Sequence, residues 1–204
     1  MLTVLIIWIY VIATTYLIGY GFLMSFVNLP GMLPGKKGKK QKHERERRKY
    51  DFKFRESYIV TGIVLVTVYA QIVSLFAKVS LGANLVLLAL SIIIAVYYRD
   101  ELYEDLLGML GKMRAGANFY VYLAVFLIMA DGASHGIMHY DSDLYHAQAI
   151  RWIEEYGIVR GLGNLHVRLA YNSSAFALSA LYSFKFLGTQ SYHVMSGLFA
   201  LLLA

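Results

Sequence analysis

The chain has no cysteine among its 204 residues. Disulfides, thiol catalysis and zinc–thiolate sites are therefore excluded, and redox usage says nothing about compartment. Charge is missing from Leu2 to Val27, and no basic residue precedes that run. It does not read as a cleavable signal peptide. Proline is almost absent: Pro30 and Pro34 are the two present, and both fall where this first apolar run ends. No internal repeat is found.

What is present is apolar. Hydrophobic residues make up 58% of the chain, against roughly 45–50% in a soluble domain. The excess lies in runs near or above the roughly 20 residues that cross a bilayer. The expected fold is all-α: a polytopic transmembrane helix bundle with an outer loop containing an interfacial amphipathic helix. A first span (residues 1–34) is followed by a basic loop (35–57). A transmembrane hairpin (58–98) comes next, with spans Tyr58–Ala77 and Ala83–Tyr98 around a turn at Lys78–Gly82. Residues 99–118 carry Leu102, Leu106, Leu110 and Met113 at helical spacing, as a short interfacial helix does. A fourth span (119–137) precedes a long polar and aromatic loop (138–187) and the start of a further span (188–204). Ser196 to Ala204 are still apolar, so the chain is expected to be a fragment of a longer protein.

Eleven of the nineteen Lys and Arg residues lie between Lys36 and Arg55. The positive-inside rule puts that loop in the cytoplasm. Alternation then places the amino terminus, the turn at Lys78 and loop 138–187 outside, and residues 99–118 inside. A basic run flanked by two spans serves topology and lipid-headgroup contact. No nucleic-acid partner is expected, and the oligomeric state is left open. Gly19, Gly21 and Ser91 are read as close-packing positions. Trp8, Tyr97 and Tyr98 are read as interfacial anchors.

The chemistry concentrates in Tyr140-Asp141-Ser142-Asp143-Leu144-Tyr145-His146. Carboxylates at a membrane surface are costly unless they have a purpose. Asp143 suits the N-cap of a helix from Leu144 to Tyr156, and Gly157 suits its C-terminal stop. Tyr145, Ala149, Trp152 and Tyr156 fall on one helical face, with His146, Ile150 and Ile153 beside it, so the helix is expected to lie flat on the outer surface. Asp141 and Asp143 would hold a divalent cation such as Mg or Mn, or one of them would act as general base towards an acceptor. Capping competes with both roles. Arg151, Arg160 and Arg168, with His146 and His166, would contact a phosphate-bearing substrate, or lipid headgroups. Asp131, His135 and His139 share a helical face, read as a polar helix end. Asn172-Ser173-Ser174 matches a glycosylation acceptor pattern too short to weigh.

An acidic pair in a large outer loop, after a span and leading into a surface helix, resembles the GT-C class of integral-membrane glycosyltransferases. The run Tyr140 to Ser174 is similar to bacterial multi-spanning proteins of cell-envelope polysaccharide loci, and covers about a sixth of the chain. In the class pattern the acidic loop follows the first span, whereas here it follows the fourth. The resemblance implies an enzyme of the bacterial inner membrane that takes a sugar from a polyprenyl-phosphate-linked donor on the outer face, with Asp141 or Asp143 as the acidic residue. The membrane lipids and that donor are the partners it implies. The competing readings are a transporter or flippase of polysaccharide precursors, and a polysaccharide polymerase or ligase.

Overall fold

The computed structural model describes residues 1–27, 56–112, 117–135, 140–187 and 192–203. The basic run Lys36–Arg55, the two prolines and His139 lie outside the described residues. Among the described residues every regular element is helical. Helix α1 spans Leu2–Val27, α2 Glu56–Phe76, α3 Leu81–Tyr97, α4 Arg99–Lys112 and α5 Ala117–Ser134. A π-helical turn, Ser142–His146, leads into α6 (Ala147–Tyr156). Then come α7 (Leu162–Leu165), a 3-10 turn (Val167–Tyr171), α8 (Ser174–Leu181), a second 3-10 turn (Lys185–Leu187) and α9 (Val194–Leu203).

Two helices, Leu2–Phe26 and Ser57–Phe76, are long and apolar enough to cross a membrane, and α3 with α4 would make a third as one broken span. The chain between α3 and α4 bends by 85°. Helix α5 is apolar but shorter. These lengths are compatible with membrane association.

α1 and α2 form the tightest pair, and glycine is the reason. A Cβ at Gly19 would overlap the Tyr58 carbonyl, and one at Gly62 would overlap the Thr15 carbonyl. The two backbones therefore touch, the small-residue contact by which helices associate where lipid removes the hydrophobic drive. Gly21 makes room for the Ile94 side chain of α3. Buried Ser91 closes its hydroxyl onto the Leu87 carbonyl. At the carboxyl end of α1, Tyr16, Tyr20, Tyr58 and Tyr98 form a ring cluster with centroids 5.2–6.1 Å apart, and Leu102 of α4 packs against it. Segment 28–55 joins the two helix ends that meet there.

The opposite end differs from the sequence expectation. Residues 140–187, read from the sequence as a long outer loop around one amphipathic helix, hold several short helices that pack onto the bundle. α8 buries Ala177, Leu178, Ala180 and Leu181 in the main core with α1, α2 and α9. The Tyr182 hydroxyl reaches Thr14, halfway along α1, at 2.9 Å. The side-chain amide of Asn84 donates to the Leu181 carbonyl, and Tyr10 donates to Asn84 Oδ1 at 3.2 Å. A segment as apolar as Ser174–Leu181 gains more by filling the end of the bundle than by lying in water.

Trp8 is a second correction. It is no interfacial anchor: it is wholly buried, its indole N–H donates to the Val194 carbonyl at 2.8 Å, and its ring meets Phe126 edge-on. A buried indole needs a partner for its N–H, and the start of α9 supplies one. Tyr97 remains exposed, as an anchor would.

Candidate functional site

α6 carries the site. Its buried residues are Ala149, Ile150, Ile153 and Glu154; Ala149 belongs to the face read from the sequence, but the aromatic residues of that face, Tyr145, Trp152 and Tyr156, are not buried. Trp152 and Tyr156 meet with their rings tilted, centroids 5.2 Å apart, and Tyr156 is exposed. The helix docks by backbone. The Val79 amide donates to the Ile153 carbonyl at 3.0 Å, and the Ile158 amide donates to the Ser74 carbonyl at 2.7 Å. These bonds tie α6 to the turn between α2 and α3. Gly157 ends the helix at φ 76° and ψ −150°, a conformation that essentially only glycine adopts.

The acidic motif opens this element differently from expectation. Asp143 is the second residue of the π turn rather than a cap, because helical backbone begins before it. Its side chain is outside the described set. Asp141 precedes the turn in right-handed helical conformation and makes no side-chain capping bond. It is instead partnered across 27 residues: Arg168 Nη1 donates to Asp141 Oδ1 at 2.8 Å, with both side chains part-buried. The Arg168 guanidinium also lies over the Tyr145 ring, 5.2 Å from its centre. Tyr145 packs edge-on against His146 and Tyr171, and His146 leans on Phe176. His166 Nδ1 accepts from the Arg168 backbone amide at 3.3 Å.

The fold thus gathers Asp141, His146 and Arg168 around Tyr145 and Tyr171, while His166 meets Arg168 at its backbone amide. The guanidinium is held by a carboxylate below and a ring beside it. An Arg so held keeps further N–H groups for a phosphate.

The other two arginines have different surroundings. Arg160 is exposed on the turn before α7. Arg151 donates to the Tyr192 hydroxyl at 2.9 Å and lies 3.9 Å from both Glu154 and Glu155. His135 closes onto the Asp131 carbonyl at 2.8 Å, as does Ser134 at 2.6 Å, which is the polar helix end read from the sequence. Ser173 caps α8, accepting from the Ala175 amide at 3.3 Å. Among the described residues no group of three or more His, Cys, Asp or Glu is placed to hold a metal.

Glu154 is the residue that sequence reasoning missed. It is 5% exposed, and neither carboxyl oxygen makes a full hydrogen bond among the described residues. Burial pushes its pKa above the ordinary 4.5; the nearby Ser183 hydroxyl, Arg151 and Lys185 oppose that shift without cancelling it. Its neighbour Glu155 is shifted the other way, lowered by its bond to Lys185. The signal was available: Glu154 lies four residues after Ile150, on the apolar face.

A pH prediction follows from Glu154. A carboxyl whose folded pKa is raised stabilises the fold while protonated and loses that contribution as pH rises through the folded value. Thermal stability in detergent should therefore fall from pH 4.5 upward in the wild type by more than in Glu154→Gln. Scanning fluorimetry across pH 4–8 checks this, and parallel curves for the two proteins would refute it.

Comparison with known proteins adds a family. The model of a domain of unknown function, DUF8201, matches residues 1–204, the whole chain. No curated protein and no solved structure matches it.

Proposed function

The chain belongs to the DUF8201 family, and from its own site we propose that it is a membrane glycosyltransferase-like protein. It takes a sugar from a polyprenyl-phosphate-linked donor on the outer face, in bacterial surface polysaccharide or glycolipid assembly. The observation that carries this reading is the Arg168–Asp141 pair beside Tyr145 and His146. The helix that this motif leads into docks at the α2–α3 turn, the other end of α2 from the basic segment.

In this reading Arg168 takes the donor phosphate, because a guanidinium offers paired N–H donors to phosphate oxygens. Asp141 orients Arg168. Asp143, two residues further along the same motif, is the base that accepts the proton of the acceptor hydroxyl. The attacking oxygen then forms the new glycosidic bond as the bond to the lipid phosphate breaks. His146 and His166 line the donor side. A divalent cation such as Mg or Mn at Asp141 would compete with the guanidinium. Arg151 and Arg160 contact lipid headgroups at the rim.

The test uses the full-length gene. In Asp143→Asn and Arg168→Gln strains, one sugar should disappear from the surface glycan while its lipid-linked donor accumulates, as in a deletion strain. Mass spectrometry of both pools reads this. Unchanged glycan from a stably expressed Asp143→Asn protein would sink the reading. A second reading, transport of the precursor, draws on the short buried helix α8, since transporters build their sites from broken helices. It predicts that precursor accumulates on the inner face, which a lipid-sidedness assay distinguishes.

A further inference from the structure

On the other side of α6 a cavity of about 400 Å³ opens between that helix, the α2–α3 turn and the segment after α8. Lys78, Glu154, Glu155, Ser183 and Lys185 line it together with apolar atoms of Val79 and Phe186. None of these groups belongs to the Asp141–Arg168 cluster.

The charges in this cavity are unevenly used. Lys185 is committed to Glu155. Lys78, exposed on the turn, has no hydrogen bond or ion pair among the described residues. Glu154 lines the cavity with both oxygens buried; the Ser183 hydroxyl lies nearby and the Arg151 guanidinium is 3.9 Å away, but neither oxygen makes a hydrogen bond of normal geometry among the described residues. A buried carboxylate in that condition carries a desolvation cost that a donor supplied from outside would remove. An anion alone would satisfy Lys78 but face Glu154. A cation alone would satisfy Glu154 but face both lysines. A ligand carrying both charges, with N–H donors on its cationic end, meets both demands.

We infer that this cavity binds a zwitterionic aminoalkyl phosphate, with Lys78 at the phosphate and Glu154 accepting from the primary ammonium. The cavity lies beside the turn that follows Phe76, the last residue of a helix long and apolar enough to cross a membrane, and the end of such a helix meets the headgroup layer where it spans. The headgroup of an ethanolamine phospholipid and a free aminoalkyl phosphate share this chemistry. The inference does not rest on the transfer reading above.

The experiment uses the whole chain purified in detergent, with dioleoyl lipids of ethanolamine, choline and glycerol headgroup added at equal mole fraction. Retained lipid is counted by native mass spectrometry. The ethanolamine lipid should be retained about tenfold over the choline lipid, whose quaternary nitrogen has no N–H, in line with one charge-assisted hydrogen bond. Glu154→Gln and Lys78→Ala should each bring ethanolamine retention down to the choline level. The exposed Lys78 keeps the test valid if Glu154→Gln fails to fold. Competition with free phosphoethanolamine identifies the source: displacement points to a soluble ligand, and none points to the lipid. Equal retention of all three lipids, or ethanolamine retention unchanged in both variants, would overturn the inference.

Discussion

Gly62→Val should dismantle the α1–α2 pair. At Gly62 the helix backbones are in contact, and even a Cβ would overlap the Thr15 carbonyl. That atom belongs to a helix and cannot swing away as a side chain would, so the helices must separate. Separation would also open the contact at Gly19, one turn along the same seam, and strip buried Val66 and Ala70 of their neighbours. Overpacking ordinarily costs about 1–3 kcal/mol, and a backbone clash repeated along a seam belongs at or above the upper end of that range. Gly82→Ala provides the control. Gly82 lies in the first turn of α3 with nothing within 4 Å of an added Cβ, so that change should be neutral or stabilising by up to about 1 kcal/mol. Thermal unfolding in matched detergent should show Gly62→Val melting far below wild type and Gly82→Ala at or above it. Equal midpoints for the two variants would show that α1 and α2 do not meet through Gly62.

Gly157→Ala should detach the site-bearing helix while sparing the rest. The backbone at Gly157 costs a non-glycine residue about 1–3 kcal/mol through its conformation alone. The added Cβ would also sit 2.6 Å from the Ser74 and Ala77 carbonyls. The interactions at risk are the two backbone bonds that dock α6, from Val79 to Ile153 and from Ile158 to Ser74. Each contributes about 0.5–1.5 kcal/mol, so the combined penalty is enough to release the joint. Hydrogen exchange reads this residue by residue. The Val79 and Ile158 amides should lose protection, whereas amides in the middle of α1 and α2 keep theirs. Protection retained at Val79 and Ile158 would mean that α6 is held by its side-chain face instead.

These two glycines show where sequence reasoning reached and where it stopped. The helical nature of the chain was settled by composition and periodicity, because apolar runs of 20 residues without charge have few other uses. Gly19 was readable as a packing position and Gly157 as a helix stop. The partner of Gly19 was not readable, because Gly62 and Tyr58 become its neighbours only once α1 and α2 are side by side.

The amphipathic character of α6 was likewise written in its sequence, but the choice of buried face was not. Two faces were available, one aromatic and one carrying Ile150, Ile153 and Glu154. The neighbouring α8 and the α2–α3 turn decided between them by covering the second. That choice put a carboxylate inside. The sequence by itself determined an all-helical chain with membrane-length apolar helices and an acidic motif leading into a surface-seeking helix. Only the tertiary structure paired Asp141 with Arg168, withdrew Trp8 into the core and left Glu154 facing a cavity. Local pattern follows from the period of one helix, whereas each of these outcomes depends on which distant segment packs against it.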